Sequence, residues 1–116
     1  PGGLPGSEVI RDTPLAIDLL KVQAALGRWR AAICAAPVVV LQHHALLGDA
    51  IVTCHPGFQS RLPTSQLSHE RVVRDEAHRL ITSQGPGSAI EFALELVRVL
   101  RGDEVAATVA GPMVLP

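Results

Sequence analysis

Apolar residues recur every three or four positions after Thr13, a spacing that predicts an amphipathic helix near the start of the chain. Thr13 followed by Pro14 is typical of an N-cap and a first helical position, and Gly27 is a typical helix end. The pattern therefore predicts one helix between Pro14 and Gly27. Its apolar stripe consists of Leu15, Leu19, Val22 and Leu26.

Two short apolar runs follow, with a helical stretch between them. Residues 29–33 are apolar on both faces, which predicts a central strand of a sheet covered by helices. Residues 50–54 predict a second strand, which the following His-Pro-Gly sequence would end. Between these strands, Pro37 suits the first turn of a helix over 38–47 that is closed by Gly48.

The second half of the chain predicts a hairpin and two helices. Residues 71–74 and 79–83 flank a polar turn, as the strands of a β-hairpin do. Ser88 and Glu91 have the S-x-x-E spacing of a capping box, which predicts a helix that ends at Gly102, and a shorter helix follows. Strands that alternate with helices predict an α/β fold with a largely parallel sheet and helices on both faces.

Composition narrows the possible functions. The 116 residues suffice for one domain at most, and 47% of them are hydrophobic, so the chain can bury a core. Ten basic and eleven acidic residues leave a net charge of −1, which disfavours binding to nucleic acid or to an anionic membrane. The longest apolar run, 31–41, is too short to span a bilayer. Two cysteines form no disulfide framework, and with no secretory signal in view the expected location is cytoplasmic.

Cys34 lies in the sequence AAICAAP, between the first predicted strand and the next helix. In an α/β sheet, reactive side chains collect at the carboxyl ends of strands, and a residue on a tight strand-to-helix turn projects outward. N–H groups at the start of the next helix favour a thiolate and would also donate to an oxyanion. A free cysteine is, however, commonly a small buried core residue. Both interpretations of Cys34, nucleophile and core residue, stay open on this reasoning.

Three further positions are candidates for the same site. Gly2 and Gly3 allow backbone N–H groups to approach a substrate oxygen, as an oxyanion hole requires, although the same glycines also suit a plain turn. His55 ends the second predicted strand at the same edge as Cys34, either as a proton carrier or as a loop histidine satisfied by the backbone. Cys54 and His55 would bind a metal only with two further ligands, so no metal site is predicted.

The motifs PGG, AAICAAP, CHP, LITSQGPGSAIEFAL and EVAATVAGPMVL occur in this order. With them, essentially the whole chain closely resembles the ThiJ/PfpI superfamily, in the branch of the Parkinson-disease-associated protein deglycase and its YajL-like bacterial relatives. The resemblance implies a flavodoxin-like three-layer α/β sandwich that is usually a homodimer. It identifies residues 1–116 as the C-terminal part of a single ThiJ/PfpI-like domain, with the N-terminal strands and helix missing from this chain.

The resemblance also implies a chemistry. Cys34 takes the place of the reactive elbow cysteine, His55 that of the nearby histidine, and Gly3 and Ala35 those of backbone oxyanion donors. The expected function is a cysteine-dependent, cofactor-free glyoxalase or protein deglycase acting on methylglyoxal or its adducts. The alternative is a redox-sensing, chaperone-like protein in which the same cysteine is oxidised. The expected partners are a small α-oxoaldehyde or glycated group, a second copy of the chain and the missing N-terminal fragment.

Two features of the chain depart from the family pattern. Peptidases of the superfamily carry a histidine directly after the elbow cysteine, and Ala35 at that position disfavours a cysteine peptidase. Family members also supply, from the chain before PGG, a glutamate that hydrogen-bonds the elbow cysteine. A sheet without its first strands exposes an unpaired edge and an apolar face, so we expect the missing piece to be bound to this chain.

Overall fold

The computed structural model describes all 116 residues and begins with two helices. Helix α1 spans Gly6–Arg11 and has no counterpart among the sequence predictions, whereas helix α2, Pro14–Ala25, confirms the first predicted helix. Helix α2 buries Ile17, on a different side from its apolar stripe. The stripe itself is uncovered, because its side chains are 55–69% exposed: Leu15, Leu19, Val22 and Leu26.

Three strands form the sheet, in the spatial order β1-β3-β2. They span Arg30–Ile33 (β1), Val72–Asp75 (β2) and Leu80–Ser83 (β3). Strands β1 and β3 are parallel, whereas β2 and β3 form the predicted antiparallel hairpin. The strand predicted over 29–33 is confirmed, but it pairs with β3 alone and lies at the edge of the sheet. One edge of β1 therefore presents unpaired backbone groups.

The strand predicted over 50–54 does not join this sheet. Only Val52 pairs as a strand residue, in a parallel bridge with Leu67. The Thr53 N–H donates instead to a side chain, the Thr82 hydroxyl, at 3.0 Å. Because a side-chain acceptor replaces the backbone ladder, this segment, buried except at Ile51, lies against the sheet without becoming one of its strands.

The helix predicted over 38–47 is shorter than expected and wound differently. A π-helix spans Pro37–Gln42, and the His43 N–H that follows it donates five residues back, to the Val38 carbonyl, at 3.2 Å. The chain continues from there in turns. Three consecutive valines disfavour a regular α-helical turn because their side chains branch at Cβ. The segment packs against α1 and β1 and is buried from residue 37 to residue 41.

The last two helices confirm their predictions, apart from the capping box. Helix α3 spans Ala89–Arg101 and helix α4 spans Asp103–Ala110, and the two pack against each other. Ser88 stands at the N-cap of α3, but its hydroxyl makes no capping bond to the helix, and Glu91 pairs with Arg71 at 2.8 Å. No helix of the chain combines the length and the apolar character that crossing a membrane requires.

Candidate functional site

Cys34 follows β1 directly and has a backbone φ of 65°, in the left-handed region that favours glycine. That region costs an L-residue roughly 1–2 kcal/mol, so its neighbours must hold it there. The Cys34 N–H donates to the Ser83 carbonyl at 2.9 Å, and the Cys34 carbonyl accepts the His55 N–H at 2.8 Å. The predicted tight strand-to-helix turn is therefore confirmed, and its cysteine is partly exposed.

Gly2 lies directly against this turn. A Cβ atom on Gly2 would stand 2.5 Å from the Cys34 Cβ, 2.7 Å from the Ile33 carbonyl oxygen and 3.1 Å from the Ala35 nitrogen. These neighbours are backbone atoms or a Cβ, none of which can rotate away. Position 2 therefore admits only glycine, and the approach of the Gly2 and Gly3 N–H groups to a substrate oxygen stays a prediction.

The backbone N–H groups of Gly3 and Ala35 have no acceptor within the chain, and neither do those of their neighbours Gly2 and Ala36. Ala35 is only 2% exposed, and buried N–H groups without an acceptor are rare in folded proteins. The Gly3 carbonyl, in contrast, accepts both the N–H and the hydroxyl of Ser7, at 2.8 and 2.7 Å. Unpaired N–H groups beside a cysteine are what a developing oxyanion requires.

The backbone of His55 lies beside Cys34, as the sequence predicted. One nitrogen of the His55 ring forms a hydrogen bond with a backbone group. Nδ1 accepts the Gly57 N–H at 3.0 Å. A neutral ring with this bond carries its proton on Nε2, so the free nitrogen of His55 is a hydrogen-bond donor. The ring lines a small open pocket of about 190 Å³ together with the turn at residues 85–87.

Cys54, next to His55 in the chain, is a different kind of cysteine. It is fully buried, and its Sγ contacts the His55 carbonyl at 3.4 Å. Burial, together with the nearby Cys34, raises the pKa of the Cys54 thiol to about 11. Cys54 is therefore a protonated core residue at neutral pH, and no group of three or more ligand-type side chains converges here.

Sequence reasoning missed two groups of residues, one beside the site and one at the opposite end of β1 and β3. Ser83 and Ser88 hold the turn at 85–87, for which the only signal in the sequence was the Gly-Pro-Gly motif after β3. His78 joins the β2–β3 hairpin to the loop before the segment 50–54, with Nδ1 2.9 Å from Asp75 and Nε2 2.6 Å from Asp49. No periodicity connects these residues, because they come from different segments.

The His78 bridge predicts a pH dependence of stability. Hydrogen bonds that the His78 ring donates to Asp75 and then to Asp49 raise the pKa of His78 above its usual 6.5, since only the charged ring donates to both carboxylates. This stabilisation is complete below pH 6.5 and is lost as the pH rises through the folded-state pKa. The expected loss is about 0.5–1 kcal/mol, typical of a partly exposed ion pair. Urea unfolding at pH 6 and pH 8.5 measures it.

His69 supplies the control for this measurement, because it pairs with no carboxylate. His78→Gln should remove the difference between the two pH values, and His69→Gln should keep it. The charged groups facing His78 are Asp75, Asp49 and Arg30, whose guanidinium donates to the His78 carbonyl at 3.2 Å. A pH difference that survives in His78→Gln would assign the effect to other groups.

A cysteine strained into the left-handed region after a parallel strand, with unpaired N–H groups around it, defines the class of α/β proteins with a cysteine elbow. Within this class, the chain belongs to the DJ-1/PfpI family, whose profile matches residues 1–99. The fold is the flavodoxin-like α/β fold of that family, as the resemblance in the sequence implied.

Individual relatives support this assignment. The chain is 39% identical over 118 residues to the Parkinson disease protein 7 homolog of Danio rerio, covering 99% of this chain and 61% of the relative. It is 37% identical to the glutathione-independent glyoxalase DJR-1.2 of Caenorhabditis elegans, covering 99% of this chain and 60% of the relative. The solved structure of oxidized Toxoplasma gondii DJ-1 superposes with a TM-score of 0.93 at 42% identity, over 97% of this chain and 60% of that one. The chain thus spans less than two thirds of these relatives.

Proposed function

We propose that this protein is a cysteine-dependent glyoxalase that acts on methylglyoxal, and on its protein adducts as a deglycase, without a cofactor. The observation that carries the proposal is the strained Cys34 turn with the unpaired Ala35 N–H beside it. A C. elegans relative is named a glutathione-independent glyoxalase, which supports the same activity here.

In the first step, the Cys34 thiolate attacks the aldehyde carbon of methylglyoxal. The new C–S bond converts the carbonyl oxygen to an oxyanion, and the Gly3 and Ala35 N–H groups donate to it. Protonation of this oxygen gives a hemithioacetal. Water supplies this proton, and the neutral His55 ring, whose Nδ1 is occupied by the Gly57 N–H, suits a hydrogen bond from Nε2–H to the same oxygen.

In the second step, a base removes the proton from the former aldehyde carbon and the ketone oxygen takes up a proton, which gives an enediol. The former ketone carbon is then protonated, and the hydroxyl on the former aldehyde carbon loses its proton. The product is a thioester of lactate on Cys34, and hydrolysis by water releases lactate and restores the thiolate. One methylglyoxal and one water give one lactate, so no external oxidant or reductant enters. The base is assigned to the glutamate that the family resemblance places in the chain before PGG, since His55 serves as a donor.

The test of this function is lactate formation from methylglyoxal by the purified protein, without added glutathione, followed by proton NMR. Lactate formed at a rate proportional to protein concentration is the expected result. Absence of lactate from a folded protein that carries both this chain and the rest of the family domain would refute the proposal.

A redox-sensing role is the second candidate, favoured by the contrast between the two cysteines. Cys34 is partly exposed, whereas Cys54 is buried with a pKa of about 11, so mild peroxide should oxidise Cys34 alone. The N–H groups of Gly3 and Ala35 would hold a sulfinate as they would an oxyanion. Oxidation confined to Cys34 that changes binding of client proteins, in a protein without glyoxalase activity, would favour this candidate.

We also propose that the rest of the family domain packs on this chain. An apolar groove of about 410 Å³ lies between α2 and the start of the π-helix, next to the unpaired edge of β1. Leu19 and Val40 are among its lining residues. An exposed apolar stripe beside a free strand edge is unstable in water and prone to aggregation. We therefore expect another segment to pack on both the stripe and the edge. The length of the relatives beyond this chain supplies one.

Replacing Leu19 by alanine tests whether the groove is covered or exposed to solvent. In the full protein, Leu19→Ala should lower the free energy of unfolding by about 2–3 kcal/mol, as expected for a core leucine. Urea unfolding measures the change, and Leu100→Ala is the matched control because Leu100 is 64% exposed, as Leu19 is 63%, and lies outside the groove. A neutral Leu19→Ala would show that the groove is open. If Leu19→Ala changed only the oligomeric state, a second copy of the chain would be what covers the groove.

A further inference from the structure

We propose that Ser83 and Ser88 are positioning residues that set the place of the His55 ring against the Cys34 turn. The inference rests on the function proposed above, in which His55 donates a hydrogen bond to the adduct on Cys34. Neither serine contacts the elbow thiol through its own hydroxyl. Both act through the turn at residues 85–87.

The two hydroxyls form a buried chain of hydrogen bonds with one direction. The Arg71 carbonyl can only accept, so it takes the Ser83 hydroxyl proton, at 2.6 Å. The Gly85 N–H can only donate, and it donates to the Ser88 hydroxyl at 3.2 Å. The Ser88 hydroxyl therefore donates to Ser83 Oγ, at 2.6 Å. Ser83 is 0% and Ser88 3% exposed, so water cannot replace either partner.

Ser88 forms hydrogen bonds with both backbone polar groups of Gly85, the N–H and the carbonyl. Its carbonyl accepts the Ser88 N–H and lies 3.0 Å from the Ser88 hydroxyl. The far side of the turn is held by Arg71, whose guanidinium donates to the Gly87 carbonyl at 2.6 Å. The turn is therefore rigid, although its two glycines would otherwise leave it flexible.

The rigid turn lies against the His55 ring. A Cβ atom on Gly85 would stand 3.6 Å from His55 Cδ2, so the Gly85 backbone is the wall next to the ring. The opposite support is the Gly57 N–H on Nδ1. The ring is thus fixed on one side by a hydrogen bond and on the other by a turn whose position depends on Ser88.

Ser83 connects this support to the cysteine. Its carbonyl accepts the Cys34 N–H at 2.9 Å, while its hydroxyl belongs to the chain that holds Gly85. Ser83, at the end of β3, therefore influences the positions of both Cys34 and His55. A shift of the serine pair would change the distance between His55 and the adduct on Cys34, and rates of positioned reactions are steep in such distances.

The test compares Ser88→Ala, Ser88→Cys and Ser88→Thr in the full protein. Alanine and cysteine remove the strong hydroxyl donor, and threonine keeps it. We expect Ser88→Ala and Ser88→Cys to lower kcat about 10- to 100-fold with little change in KM, and to shift the His55 ring signals in heteronuclear NMR spectra. Ser88→Thr should restore both. Ser68→Ala is the control, because the Ser68 hydroxyl serves only the N–H of Glu70.

The NMR measurement separates this inference from the proposed function. His55 ring signals that stay unchanged in Ser88→Ala and Ser88→Cys would overturn the positioning role, whatever the activity. Shifted ring signals in a protein whose wild type forms no lactate would retain the positioning role and refute the glyoxalase. A kcat loss that threonine does not rescue would also contradict the role assigned to the hydroxyl.

Discussion

Cys34→Ala is expected to abolish lactate formation from methylglyoxal, lowering kcat by at least about 10³-fold. No other group can form the carbon–sulfur bond, because Cys54 is buried and its pKa is about 11. The rate of lactate formation by wild type and variant, at equal concentrations of folded protein, measures the effect. Turnover in Cys34→Ala close to that of the wild type would refute a cysteine mechanism.

Two controls separate lost chemistry from lost folding. Cys34→Gly also lacks the thiol, but glycine relieves the strain at a φ of 65° and should stabilise the fold by about 1 kcal/mol. Cys54→Ala should keep kcat within a few-fold of wild type, because its side chain contacts only its own segment through hydrogen bonding. Iodoacetamide should label Cys34 at pH 6 and leave Cys54 unmodified. Equal labelling of the two would show that Cys34 is no more reactive than Cys54.

Gly2→Ala is expected to have the second largest effect, at a position that does no chemistry itself. The added Cβ would meet the Cys34 Cβ at 2.5 Å and the Ile33 carbonyl oxygen at 2.7 Å, distances that force the backbone apart. We expect a loss of about 1–3 kcal/mol in the free energy of unfolding and a fall in kcat of roughly 100-fold, since the turn must move. Urea unfolding and the lactate assay measure the two effects.

Gly6→Ala is the matched control for Gly2→Ala. A Cβ on Gly6 meets nothing within 4 Å, and Gly6 has no positive φ, so turnover should stay at the wild-type value and stability should be unchanged or slightly higher, because Gly6 begins helix α1. If Gly2→Ala behaved like Gly6→Ala, the N-terminal glycines would lie further from Cys34 than the structure places them. A loss of turnover without a loss of stability would instead indicate a displaced oxyanion site.

The strain at Cys34 and the crowding at Gly2 have one physical origin. A left-handed residue at the end of a strand turns the chain sharply, so Ile33, Cys34 and Ala35 all face the same small space. That turn leaves the Ala35 N–H without an acceptor, and the bonds to Ser83 and His55 hold the turn in place. Backbone strain of this kind persists only where surrounding structure imposes it, and it is concentrated at functional sites.

Local patterns in the sequence were sufficient to predict most elements. Pro14 and Gly27 bracketed α2, the polar turn between 71–74 and 79–83 predicted the hairpin, and the periodic apolar residues after Ser88 predicted α3. These features are encoded over a few neighbouring residues, by backbone preference and by side-chain spacing. The candidate residues Cys34 and His55 were found in the same way, from their places at element ends, and their catalytic roles stay predictions.

Where an outcome depended on distant partners, local patterns were insufficient. The segment 50–54 has the composition of a strand, yet its Thr53 N–H bonds to the Thr82 side chain, a contact between residues 29 positions apart. Ser88 has the spacing of a capping residue, yet its hydroxyl turns to Ser83 because that buried group needs a donor. In both cases a hydrogen bond available only in the folded chain outcompeted the local one.

By itself the sequence determined α2, the hairpin, the last two helices, the family and the cysteine elbow, because each is encoded in short motifs with fixed spacing. The tertiary structure alone decided which side of each element is covered. Leu15 and Leu19 have the periodicity of a core-facing stripe but are 69% and 63% exposed, whereas α2 buries Ile17 instead. Periodicity reports that a helix has an apolar face, and burial depends on which other surface is present to cover that face.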